Sequence, residues 1–132
     1  MALFHLHGDE SGATRLARLE MGIEESPVGA VRGMLGIPAT AMSLLQFIPR
    51  KPDLGMHQSP GRQFSVVLRG VLEVVPSLGD PEHLGPGAIF FGDDVDTKGH
   101  VSRDVGEEPL MVMVVAIAPE WELPANTVAV DE

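Results

Sequence analysis

The sequence predicts an all-β fold, a sandwich or barrel, and three observations carry that expectation. Short apolar or alternating runs recur along the chain, at residues 3–7, 41–48, 64–68, 71–75 and 110–118. Turn-forming residues separate them: 15 glycines and 11 prolines, clustered in steps such as Ser59-Pro60-Gly61 and Gly85-Pro86-Gly87. No stretch keeps apolar residues at helical spacing long enough for a convincing long helix. Many short strands joined by regular turns make a sandwich or a barrel.

Length and composition bound the rest. A chain of 132 residues is one domain, residues 1–132, with room for a real core. Its 44% hydrophobic content places it among globular proteins, not disordered ones. It has no cysteine, so it carries neither a disulfide framework nor a thiol nucleophile. That fits a reducing compartment, and a cytoplasmic location is expected. The first ten residues lack the basic and apolar regions of a signal peptide. The longest apolar run, 110–118, falls far short of the ~20 residues of a membrane helix, so no membrane partner is expected. Nineteen acids against nine bases give a net charge of −10, which repels phosphate backbones and argues against nucleic acid.

In chain order, residues 3–7 read as a strand and 8–12 as its turn. Residues 14–21 are expected to pair back, giving an N-terminal hairpin over 3–21. His5 and His7 share a face at strand spacing. With no third ligand nearby they read as solvated edge histidines in preference to a metal pair. Residues 22–40 are irregular yet carry Val28, Val31, Met34, Leu35 and Ile37. Such a segment is either a lid over a pocket mouth or a crossing segment tucked against the sheet. A strand over 41–48 is stopped by Pro49 and Pro52. Residues 71–75 follow Arg69-Gly70 closely, as the antiparallel partner across a tight turn. Glu82-His83-Leu84 is a brief strand with His83 at the surface. Asp93, Asp94 and Asp96 open like a calcium loop, but Lys98 and Val105 occupy positions where ligands belong. One of Asp93 and Asp94 is instead placed to orient His100. The tail, 119–132, holds the only tryptophan, Trp121, and is expected to pack loosely over an edge.

The chain is organised around residues 56–70. His57 precedes the turn Ser59-Pro60-Gly61, and Gln63 heads the apolar strand that ends at Gly70. Residues two apart in a strand share a face, so His57 and Ser59 point one way. Gln63, Ser65, Val67 and Arg69 share the face that lines a pocket, and Phe64, Val66 and Leu68 the face that must be covered. The run 110–118 is apolar on both faces and needs cover on both sides. That uncovered apolar surface, on an N-terminal hairpin too narrow and charged to hide it, predicts a homodimer.

These residues resemble the cupin motifs. In the first motif His57 stands at the first histidine, Ser59 at the second, Gln63 at the glutamate, and Gly70 at the closing glycine in register. In the second, Gly85-Pro86-Gly87 opens a strand, 88–91, and His100 arrives two residues late after Lys98-Gly99. The resemblance spans about residues 41–118. It implies a cupin-like double-stranded β-helix, or jelly roll barrel, with His57, Gln63 and His100 converging in the barrel mouth. The function it implies is small-molecule binding at a pocket of His57, Ser59, Gln63, Ser65 and His100. A second reading is a metal-dependent enzyme of dioxygenase or isomerase type, with divalent Fe, Mn, Ni or Zn on His57, Gln63 and His100. A third is a structural or assembly protein whose pocket is vestigial. A serine hydrolase fits poorly, because no nucleophile elbow surrounds Ser59.

Overall fold

Strand alternation and turn chemistry act over the residues that the computed structural model describes: 2–25, 29–30, 32–48 and 54–130. The expected stops at Pro49 and Pro52 lie outside them. Among the described residues there is no helix, and hence none long and apolar enough to cross a membrane. The strands are β1 Ala2–Gly8, β2 Thr14–Glu20, β3 Glu24–Glu25, β4 Arg32–Gly33, β5 Ala39–Gln46, β6 Leu54–His57 and β7 Gln63–Arg69. They continue as β8 Leu72–Pro76, β9 Glu82–Leu84, β10 Ile89–Asp93, β11 His100–Asp104, β12 Met111–Ile117 and β13 Val128–Ala129. The all-β expectation holds.

Seven strands form one sheet in the order β13-β2-β1-β10-β7-β12-β5, and four form another in the order β6-β11-β8-β9. β3 and β4 make a small separate ladder. The two main sheets pack face to face. Val67, Phe90 and Val112 from the large sheet share one buried cluster with Leu72, Val74 and Leu84 from the small one. This is a sandwich. The barrel does not close, because no ladder joins the two sheets among the described residues.

The turns explain why. The chain passes from β6 in the small sheet to β7 in the large one through Ser59-Pro60-Gly61, so that turn is a corner and not a hairpin. At Gly70 it crosses back to β8. Residues 71–75 therefore pair with β11 and β9, and not with β7 as the sequence predicts. Gly70 has φ +83, and a Cβ there would lie 2.9 Å from the Leu110 Cα. Only glycine makes that crossing without strain.

The N-terminal hairpin forms as expected, with Leu3 opposite Leu19. It does not cover the outer face of the large sheet. β1 pairs in parallel with β10 and extends the sheet sideways. Cover comes from two other segments. Met34 and Ile37 from the irregular stretch, and Trp121 and Leu123 from the tail, pack on a second cluster holding Leu3, Phe64, Phe91 and Ile117. The part of the stretch around Met34 and Ile37 is thus tucked against the outer face, on the side away from the inter-sheet space. Trp121 sits edge-on to Phe64 and Phe91, with ring centroids 5.6 and 5.8 Å away, over a face and not an edge.

Cover ends partway across. Along the outer face of β7, Phe64 is buried, Val66 half-buried and Leu68 exposed. Every residue of β5 is exposed, and β5 is the last strand of its sheet.

Candidate functional site

Strand register brings the two histidines together. β6 and β11 run antiparallel with His57 opposite His100, and the ring centroids are 4.5 Å apart. Gly99 permits the approach. Its φ is +79, and a Cβ there would collide with the His57 carbonyl.

Asp94 sets the orientation of His100. It follows β10, is wholly buried, and accepts a 2.6 Å hydrogen bond from His100 Nδ1 and a 3.1 Å bond from the Ser59 amide. Burial alone would raise its pKa, but the hydrogen bonds from His100 and Ser59 prevail and hold it below the usual aspartate value. An ionised carboxylate only accepts, so the proton lies on His100 Nδ1. His57 Nδ1 donates to the Gly55 carbonyl at 2.7 Å, and a carbonyl also only accepts. In their neutral forms both imidazoles therefore keep a lone pair on Nε2.

Both rings line a cavity of about 100 Å³ between the sheets, with Ser59, Gln63, Ser65 and Ser102 as the other polar liners. Phe47, Leu72, Phe90 and Val112 supply apolar wall. The cavity has room for roughly three waters. All five residues expected at the pocket, His57, Ser59, Gln63, Ser65 and His100, thus face one space. The space lies between two sheets and not inside a closed barrel.

Two contributors escaped the list read from the sequence. Ser102 lies two residues after His100, and alternation alone was a sufficient signal for it. Asp94 was one of two adjacent carboxylates, and only the end of β10 decides between them.

Its neighbour Asp93 points to the opposite face. There it accepts from Arg62 Nε at 2.7 Å and contacts His5 Nε2 at 2.9 Å. The expectation that His5 is solvated is corrected: its side chain is 13% exposed and stacks on Phe91 at 5.1 Å. The cause is the parallel β1–β10 pairing, which sets His5 opposite Phe91 and turns a presumed edge strand into an interior one. Burial, then the neighbouring His5, lowers the pKa of His7. His83 is at the surface as expected, bonded to Glu73 at 2.7 Å.

Among the described residues, no group of three or more His, Cys, Asp or Glu is placed to hold a metal ion. A cation at the cavity would rest on two imidazole Nε2 atoms and need the Gln63 amide oxygen as its third protein ligand. The donor set thus admits a metal but lacks an anionic ligand.

The fold and this geometry define an all-β sandwich with a small cavity between its sheets, mainly apolar and carrying a few polar side chains. No protein-family model matches the chain, and no curated protein matches it.

Proposed function

We propose that the protein is a cupin-like binder of a small molecule, held between the sheets by His57, Gln63 and His100 with Ser59 and Ser65 beside them. The observation that carries this reading is the fixed tautomer of both rings, each with Nδ1 committed to an oxygen and Nε2 left over. Two lone pairs on rings that line one small cavity favour a ligand that donates, such as a hydroxyl-bearing molecule or headgroup. Gln63 can either donate or accept. A space of about 100 Å³ favours a ligand of few atoms, or the head of a longer one.

The same tautomers favour a second reading, a divalent Fe, Mn, Ni or Zn ion. Metal-ligating histidines commonly donate their other ring N–H to a carboxylate or carbonyl, as both do here. Metal analysis of untagged protein separates the two, and Gln63→Glu adds direction. If a metal binds, the new carboxylate should raise its affinity about tenfold or more. If the ligand is a neutral or anionic molecule, the same change should weaken it. A stoichiometrically metal-free protein whose melting temperature no small polyol or hydroxy acid raises would leave the vestigial-pocket reading.

Self-association belongs to this proposal. Cross-strand register lines up Val66, Met113 and Leu44 in one outer row, and Phe64, Val115 and Met42 in the next. Met42 and Leu44 are 63% and 66% exposed. A second copy packed on this end of the sheet would cover them. Sedimentation equilibrium at micromolar concentration should give a dimer mass, and Leu44→Lys a monomer. A wild-type monomer mass would end the proposal.

A further inference from the structure

We propose that the outer face carries a second binding site, a cleft between the irregular stretch and the tail, for a neutral small molecule that joins an apolar part to one amide or carbonyl group. The cleft holds about 360 Å³, more than three times the inter-sheet cavity. That volume has room for about a dozen waters and falls within the range of ordinary small-molecule sites.

The lining sets the chemistry. Met34, Leu35, Ile37, Trp121 and Pro124 give it an apolar wall beside a comparable polar surface, and none of the described lining residues is charged. A carboxylate or ammonium would lose its hydration there without a counter-charge, so a neutral ligand is selected. Two lining side chains carry hydrogen-bonding groups, the Trp121 indole N–H and the Asn126 amide. Neither is hydrogen-bonded to a described residue. Together they offer donors and an acceptor to a ligand amide or carbonyl. The turn that presents Asn126 closes with Thr127 N donating to the Pro124 carbonyl at 3.0 Å.

The walls are held from behind. Arg62 donates to the carbonyls of Pro119 and Trp121 and is itself fixed by Asp93. The Trp121 ring rests edge-on against Phe64 and Phe91. On the facing side, any side chain at Gly22 would overlap Asn126, so the glycine backbone is what makes room for that amide. A site positioned in advance by its scaffold loses less entropy on binding.

Trp121 is the only tryptophan, so its emission reports on this cleft. Cyclohexanecarboxamide, which does not absorb at the exciting wavelength, should change that emission saturably. Cyclohexanecarboxylate should bind at least about tenfold more weakly, since its charge is buried unpaired. Asn126→Ala should weaken the amide about fivefold by removing a hydrogen-bonding partner. Leu35→Phe, which fills the cleft, should abolish the response, while Ser65→Val in the inter-sheet cavity should leave it intact. Absence of a saturable change, equal response to the acid, or loss in Ser65→Val with retention in Leu35→Phe would each overturn the proposal. Should Leu35→Phe fail to fold, Asn126→Ala decides alone, and an unchanged amide affinity refutes the site. Failure of the cleft leaves the inter-sheet reading untouched, because Ser65 and His100 belong only to the latter.

Discussion

Asp94→Asn should move the proton on His100 from Nδ1 to Nε2. In the wild type the ionised carboxylate accepts from Nδ1 at 2.6 Å and from the Ser59 amide at 3.1 Å. Asparagine can keep its oxygen on the Ser59 amide, but its NH₂ then faces Nδ1, which must accept. The lone pair on His100 Nε2 is lost. Metal or ligand binding should fall by at least about tenfold, with a stability loss of about 1 kcal/mol. Asp94→Ala removes both acceptors from a fully buried position and should cost about 3 kcal/mol. Nitrogen chemical shifts of the histidine ring read the tautomer directly, and denaturant unfolding reads the stability. An unchanged His100 tautomer in Asp94→Asn would remove the carboxylate from the argument.

The same carboxylates set the acid limit of the fold. Asp94 and Asp93 are both held below the usual aspartate range. Burial opposes the shift in each, and bonds from His100 and Ser59, or from His5 and Arg62, outweigh it. Their contribution is present above the unfolded value of about 4 and is lost as pH falls through the lower folded values. His7, lowered from 6.5 mainly by burial, acts earlier. The unfolded chain takes up that proton first, so stability begins to decline as pH drops below about 6.5. Urea unfolding across pH should therefore show a plateau near neutrality, a shallow loss below it and a steeper loss below about 4. A stability that rises between pH 7 and 5 would contradict this sign.

Gly99→Ala should be the most damaging small substitution in the site. The residue has φ +79, and its new Cβ would meet the His57 carbonyl, a backbone atom that cannot swing aside. Strain and displacement together should cost about 3 kcal/mol. Because β6 must move away from β11, the two imidazoles separate, and binding should suffer more than stability alone accounts for. Gly61→Ala is the matched control in the neighbouring corner. A Cβ there meets nothing within 4 Å, and Gly61 is not among the positive-φ glycines. Its effect should stay within about 0.5 kcal/mol. Similar losses in the two variants would mean that the β6–β11 approach does not depend on Gly99.

The sequence by itself determined which side chains share a face. Gln63 and Ser65 line the cavity while Phe64 packs outside, and His57, Ser59 and His100 join the cavity side. That much is local, because the alternation of a strand is a property of its own backbone. The turns were local too, and glycines and prolines marked them at Ser59-Pro60-Gly61 and Gly70.

Only the tertiary structure decided what each face meets. Nothing near His5 in the chain announces Asp93, 88 residues away, or the parallel β1–β10 ladder that buries them together. A turn signal likewise does not say whether the chain returns within one sheet or crosses to another. At Gly70 the sequence predicts a return within one sheet, and the chain instead crosses to the other, close past the Leu110 backbone. The cover over Phe64 and Phe91, by Met34, Ile37 and Trp121, was also not legible, since apolar residues in an irregular stretch fit any open apolar face. The choice between Asp93 and Asp94 has the same origin. Adjacent strand-end residues point to opposite faces, but which face holds the histidine follows from how β11 lies against β6 and β8. Pairing between distant strands is set by burial summed over the whole sandwich, and no single segment carries that sum.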